Sequence, residues 1–366
     1  MAWTTPLVYT FFIVIAIVVP LARGAISLGG NRDGRIAGTD NTGAKVMVFL
    51  IFLVFAFYAG SRGIAADVND EWVYRNRVAY MADKPFATIF TDSNEVLDNF
   101  GYWIVSHVLP GESQWIIVYF SIITYGCFIY SLYKQCDNFD FAILLLFLLN
   151  IVNVSFNTIQ QMEAVSISML AIPYVHKKKF IKYAVIILIA TLIHNSAAIL
   201  FAIYFVANMK PWSWKFVGVA AGCVVIMMVF NQVAPTLFSR MEILQEYGDS
   251  FGNGVKIITV LVAFIPLIFS FIFRSYFPDD DKGFNCSVNM SLMYAMIYLV
   301  STQNLYVARF AMYLQPYVIL LYTRGITYLR RENLSGITLF CLICGYGLTM
   351  VYFVQNIKYK FMWALI

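Results

Sequence analysis

Charge is scarce in this chain. Only 12% of its 366 residues are charged, about half the share of a soluble domain. A soluble protein of this length could not hide so much apolar surface, so soluble, disordered, collagenous and disulfide-scaffold classes are excluded. Histidine is scarcer still: His107, His176 and His194 are far apart and none has metal-ligand spacing. No Walker or dinucleotide glycine pattern occurs, so no nucleotide site is expected. Six cysteines do not make a framework. Cys127, Cys223, Cys341 and Cys344 lie in apolar runs, and Cys136 and Cys286 near span ends. Cys341-x-x-Cys344 has redox or zinc spacing but no second pair or nearby histidine, and reads as two buried helix thiols. The first apolar run, residues 6–21, has no basic residue before it and no clean cleavage site, so it reads as a span rather than a signal peptide. The run Asp279-Asp280-Asp281 beside Lys282 reads as a solvated turn, and no metal or cofactor is expected. No internal repeat or low-complexity tract appears.

What is present is hydrophobic, at 61% of residues. A helix crosses the hydrocarbon layer in about 20 residues. Candidate spans fall near 5–22, 46–60, 114–133, 139–155, 158–175, 183–207, 216–237, 256–274, 285–303, 305–323 and 336–355. The expected fold is all-α, a polytopic transmembrane helix bundle in one integral-membrane domain over 1–366. Basic residues orient it, since they favour the cytoplasmic side. Arg23, Arg32, Arg35 and Lys45 place the segment after the first span inside. Residues 61–113 hold eight acids against Arg62, Arg75, Arg77 and Lys84, which marks a long extracytoplasmic loop. The net charge of +5 thus follows where loops face, and it is no nucleic-acid signature. Lys134, Lys177–Lys179 and Lys182, and Arg324, Arg330 and Arg331 read as inside. Five full spans between the last two clusters would put them on opposite sides. A broken or re-entrant segment at 183–207, interrupted by His194-Asn195-Ser196, restores the rule. It also places a second extracytoplasmic loop at about 238–255.

In lipid the polar residues need a reason, and four groups stand out. The segment 60–75 begins with Arg62 at a span end and continues through Asp67, Asp70, Trp72 and Tyr74. Asn99-Phe100-Gly101-Tyr102-Trp103 follows as a short amphipathic stretch. Aromatic faces beside carboxylates suit sugars, whose C–H faces stack on rings while hydroxyls donate to acids; the alternative is a solvated loop with interface anchors. Asn157 to Glu163 opens a span with polar side chains, including Gln160, Gln161 and Glu163. Free N–H groups at a helix start suit an anion such as a lipid diphosphate; the alternative is a polar first turn at the membrane edge. His194 can exchange a proton near neutrality, or act as a hydrogen-bonding core residue. Arg309 lies inside an apolar run with Tyr306 and Tyr313 at i−3 and i+4. Its planar guanidinium suits phosphate oxygens.

Taken together, these groups resemble the EpsG family of bacterial polysaccharide-biosynthesis membrane proteins, related in role to Wzy polymerases. The similarity rests on Arg62, Gly63, Asp67 or Asp70, and Tyr74 after a span. It continues through Asp98, Gly101 and Tyr102, then Phe156-Asn157-Thr158-Ile159-Gln160-Gln161, His194-Asn195-Ser196, and Arg309 with Tyr313. It covers about residues 50 to 320. One departure matters: Gln160 stands where the family has arginine, which removes a positive charge from the diphosphate region.

The resemblance implies a membrane glycosyltransferase that joins undecaprenyl-diphosphate-linked repeat units of O-antigen, capsule or exopolysaccharide. Its place would be the bacterial inner membrane, with the active site on the periplasmic, extracytoplasmic face. The lipid-linked glycan is the substrate, the bilayer the solvent, and a chain-length regulator a possible partner; nucleic acid is none. Arg62 and Arg309 would bind the diphosphate. The base would come from Asp67, Asp70, Glu163 and His194. Trp72, Tyr74, Tyr102, Trp103, Gln161 and Tyr313 would hold sugars. A flippase or transporter of the same lipid-linked sugar is the alternative, although internal repeats common in transporters are missing. A ligase or acyltransferase is another.

Overall fold

A computed structural model describes residues 42–63, 71–91, 96–108, 114–239, 254–354 and 360–361. The principal helices are α1 (Thr42–Gly60), α2 (Glu71–Met81), α3 (Val96–Val108), α4 (Gln114–Gln135), α5 (Phe139–Leu148), α6 (Ile151–Asn157) and α7 (Ile159–Met169). They continue as α8 (Phe180–Ile193), α9 (Ile199–Ala207), α10 (Trp214–Ser239), α11 (Ile257–Ile272), α12 (Lys282–Val300), α13 (Gln315–Arg331) and α14 (Ser335–Val354). The chain is an all-α, multi-pass membrane protein. Among the described residues the strand pairing consists of Arg62–Gly63 running antiparallel to Lys360–Phe361. The apolar run at residues 5–22 and, of the second loop expected at about 238–255, residues 240–253 lie outside the described residues.

Among the described residues, four helical segments are long and apolar enough to cross a bilayer: α1, α4, α12 and the run Leu305–Arg330. Helices α5 and α6, bent by 55°, pass the same test only as a pair, as a broken span or a re-entrant loop. The sequence reads 139–155 as one unbroken span. The chain instead turns at Asn150, whose φ of 61° is left-handed, a conformation asparagine tolerates better than most residues. The interruption expected within 183–207 is present. Helix α8 ends at Ile193, a 3-10 turn spans Asn195–Ala198, and α9 follows. The span read at 305–323 also changes character, alternating 3-10 and α turns from Leu305 to Leu314 before α13 begins. Proline at the first turn of α13 suits that start, where its missing N–H costs nothing.

Two compact units interleave in sequence. The first comprises 1–171, 185–198 and 333–366; the second comprises 172–184 and 199–332. Composition shows no linker because the chain passes from one unit to the other inside or beside apolar helices.

In the first unit α1 packs lengthwise on α4, and α4 packs on α7. Gly60 lets the backbones approach, since a Cβ there would lie 3.3 Å from Val118 Cα. The segment 71–108 is not an open loop. Helices α2 and α3 pack on each other and on α4. Tyr74, Val78, Met81, Tyr102 and Val105 share one buried cluster with Ile116, Ile117, Phe120 and Ile159. Cys341 and Cys344 are exposed rather than buried. They sit on α14, whose outward face is apolar (Ile337, Phe340 and Leu348) and suited to lipid.

In the second unit α12 is the central helix, packed by α9, α10, α11 and α13. Its buried Asn289 donates to the carbonyls of Ala207 at 3.1 Å and Met209 at 2.7 Å, answering acceptors freed at the end of α9. Asp281 is no solvated residue. Its carboxylate caps α12 by accepting from the N–H groups of Gly283 and Phe284, both at 3.0 Å. It also accepts from Arg324 at 3.0 Å and from the Tyr328 hydroxyl.

Candidate functional site

Arg62 is the most unusual residue of the first unit. It follows α1 directly and is only 1% exposed. Its Nη1 donates to the Ala59 carbonyl at 2.7 Å, returning the side chain to the helix end it has just left. A cation there meets the negative end of the helix dipole. The guanidinium lies 4.8 Å from the centroid of the Phe156 ring. Two sequence groups more than ninety residues apart, the span-ending arginine and the Phe156-Asn157 stretch, are therefore one structural group.

A glutamine fixes this corner. Gln114, first residue of α4, donates from Nε2 to the carbonyls of Gly60 at 2.6 Å and Arg62 at 2.9 Å. Its Oε1 accepts from Arg75 Nη2 on α2. The sequence shows Arg75 only as a loop charge and does not single out Gln114. The only available signal was a polar residue at a span start, which every span boundary offers. Arg77 likewise donates to Asn99 on α3 at 3.1 Å.

The polar stretch behind Phe156 turns inward. Gln161 and Glu163 are each 2% exposed. Glu163 faces α4, where Cys127 lies within electrostatic reach of the glutamate. The 3-10 turn Asn195–Ala198 packs on α7. His194, half-buried, opens that turn: its carbonyl accepts from Ala197 N–H at 2.9 Å, and its Nδ1 lies 3.4 Å from the Ser196 hydroxyl. Arg62 with Phe156, the Gln161–Glu163 helix and the His194 break thus belong to one unit.

The expected sugar-facing aromatics separate by burial. Trp72 is 56% exposed. Trp103 is half-buried, donates to the Lys84 carbonyl at 3.2 Å, and stacks on His107 with centroids 4.2 Å apart. Tyr74 and Tyr102 have their rings in the packed cluster beside Phe120. Their packing holds α2 and α3 in place and leaves no open ring face for a sugar. Asp67 and Asp70 lie outside the described residues.

The second unit carries Arg309. It is half-buried, with its guanidinium 5.1 Å from the Tyr306 centroid. Asn304, itself 1% exposed, accepts from the Tyr306 N–H at 2.8 Å and fixes that turn. Tyr313 is fully buried and Gln315 nearly so, so Tyr313 packs the start of α13 rather than offering its ring. The short alternating turns let an arginine sit between apolar segments without an unbroken helix around it. Among the described residues no group of three His, Cys, Asp or Glu side chains is placed to hold a metal ion.

The EpsG family model matches residues 45–364, nearly the whole chain. The chain therefore belongs to the EpsG family, a family of Wzy-like polymerases. No curated protein and no solved structure matches it.

Proposed function

From membership of the EpsG family we propose that this protein polymerises lipid-diphosphate-linked oligosaccharide repeat units at the extracytoplasmic face of the bacterial inner membrane. The lipid is undecaprenyl diphosphate in this reading. The anomeric C–O bond to the donor diphosphate breaks, and a C–O bond to a hydroxyl of the acceptor unit forms. The hydroxyl proton passes to a base, and the lipid diphosphate leaves with the bonding electrons. Departure of that anion requires fixed positive charge at the interface. We assign such charge to Arg62 in the first unit, whose enclosed guanidinium is a fixed charge at the end of α1, and separately to the half-buried Arg309 in the second, which is open to charge-assisted hydrogen bonds.

The observation that carries this reading is the burial of Arg62 against Phe156 at the end of α1. A permanent charge held there by the chain, with its backbone pinned by Gln114, is preorganised for an anion rather than solvated at random. Asp67 and Asp70 are the preferred bases, because the acceptor arrives from water. Glu163 is enclosed by α4 and α7. His194 orients neighbouring groups at its helix break. Trp72 is the aromatic open to a sugar, while Tyr74 and Tyr102 position it.

The test uses purified protein in vesicles with lipid-linked repeat units. Arg62→Ala and Arg309→Ala should each lower polymer formation by about 10²–10³-fold, the size of one lost transition-state donor, while inserting at wild-type levels. Wild-type turnover by either well-inserted variant contradicts that residue's role.

A further inference from the structure

A groove opens between α1 and α4 at the end opposite Arg62. The two helices are antiparallel: Gln114 meets Gly60 and Arg62 at one end. At the other, Lys45 near the start of α1 and Lys134 near the end of α4 line a common groove of about 350 Å³. Between Lys45 and Gly60 the helix rises about 22 Å, and between Gln114 and Lys134 about 30 Å, at 1.5 Å per residue. The α4 length matches the thickness of the hydrocarbon layer, about 30 Å, and the α1 stretch covers about three quarters of it. The groove and Arg62 therefore lie in opposite leaflets, and the groove is separate from the proposed diphosphate site.

Its chemistry is divided in two. Phe49, Phe52 and Tyr130 supply apolar walls, and Gly126 contributes no side chain, which leaves room between the helices. Both lysines are exposed at the helix ends. An apolar slot with two cations at the water boundary is complementary to an amphiphile with an anionic head.

We propose that this groove binds an anionic phospholipid of the membrane leaflet that holds Lys45 and Lys134, its phosphodiester between the two lysines and an acyl chain along Phe49, Phe52 and Tyr130. A lipid seated there bridges α1 and α4, the pair that also holds Arg62, and so steadies the helix that carries the arginine. The inference does not depend on the polymerase reading. Basic residues at a membrane surface each strengthen anionic-lipid binding by close to a factor of five, so the pair predicts a preference of roughly 30-fold at low salt.

The experiment uses the full chain with the photo-crosslinking residue p-benzoylphenylalanine in place of Tyr130. Vesicles contain equal parts of phosphatidylglycerol and phosphatidylcholine with matched acyl chains, and adducts are weighed by mass spectrometry. Phosphatidylglycerol adducts should dominate, and the ratio should fall toward one in Lys45→Ala/Lys134→Ala. Both lysines are surface residues, so that variant folds. Equal adducts of the two lipids in the otherwise unchanged chain overturn the proposal, as does a ratio insensitive to the lysine substitutions. Adducts to residues 1–41 or to a second copy assign the groove to protein. Suppression by millimolar inorganic phosphate assigns the lysines to a free anion. Either of these outcomes also overturns it.

Discussion

Arg62 and Arg309 illustrate how much one residue type reveals in a chain with so little charge. An arginine inside or beside an apolar run carries a cost unless something meets it, and both were visible in the sequence for that reason. Their immediate partners were not. Phe156 lies under the Arg62 guanidinium, and nothing in the spacing of residues 62 and 156 announces it. Gln114 looked like any span boundary. Aromatic residues were harder still, because a tyrosine in a polar segment reads the same whether its ring faces water or a core. Tyr74 and Tyr102 face the core; Trp72 does not. At this scale the assignment of the base makes a sharp contrast. Asp67→Asn with Asp70→Asn should lower turnover by about 10²–10⁴-fold, the usual contribution of a general base. Glu163→Gln should leave turnover within about threefold if the loop aspartates, as proposed, supply the base. A large loss in Glu163→Gln with normal insertion, and full activity in the double asparagine variant, would reverse the roles.

Helices followed the apolar runs closely, and their breaks followed less well. The break at His194 was legible because three polar residues interrupt hydrophobic sequence and the charge clusters demanded one crossing fewer. The bend between α5 and α6 was hidden, since Asn150 is one of several polar residues in its stretch, with Asn153, Ser155 and Asn157 close behind, and nothing in the sequence marks it as the turning point. The helical hairpin of α2 and α3 was also hidden: acids and glycines made residues 61–113 look like a loop, whereas Tyr74, Val78, Met81, Tyr102 and Val105 give it a core. Asp281 shows the same limit in the second unit. Three consecutive aspartates read as solvated, yet the third caps α12 and ties it to α13 through Arg324 and Tyr328. Burial alone raises the Asp281 carboxyl, but Tyr328, the Phe284 N–H, Arg324 and the Gly283 N–H outweigh it and hold the group below the usual carboxylate range. A lowered folded-state value stabilises above the unfolded carboxylate's pKa, and that contribution is lost as pH falls through the folded value. Asp281→Asn should therefore destabilise the protein near neutrality by about 1–2 kcal/mol, the scale of a lost cap and charged hydrogen bond. It should also show less further loss on acidification. Thermal unfolding in detergent at neutral and acid pH measures both; identical curves for the two proteins would contradict the cap.

At the scale of the whole molecule, composition decided the class at once, because 61% hydrophobic residues admit little besides a polytopic membrane protein. The division into two compact units was invisible, since the chain moves between them within apolar sequence. The family came from the order of weak motifs along 270 residues or so, none specific by itself, and the match over residues 45–364 shows that family. The most direct test is the length of surface or released glycan in a deletion strain, complemented by the wild-type gene or by Arg309→Ala. The account predicts single repeat units without the gene, long chains restored by wild type, and no restoration by Arg309→Ala made at equal level. Repeat units accumulating on the cytoplasmic side, or long chains persisting unattached in the deletion strain, would contradict it and point to a flippase or a ligase.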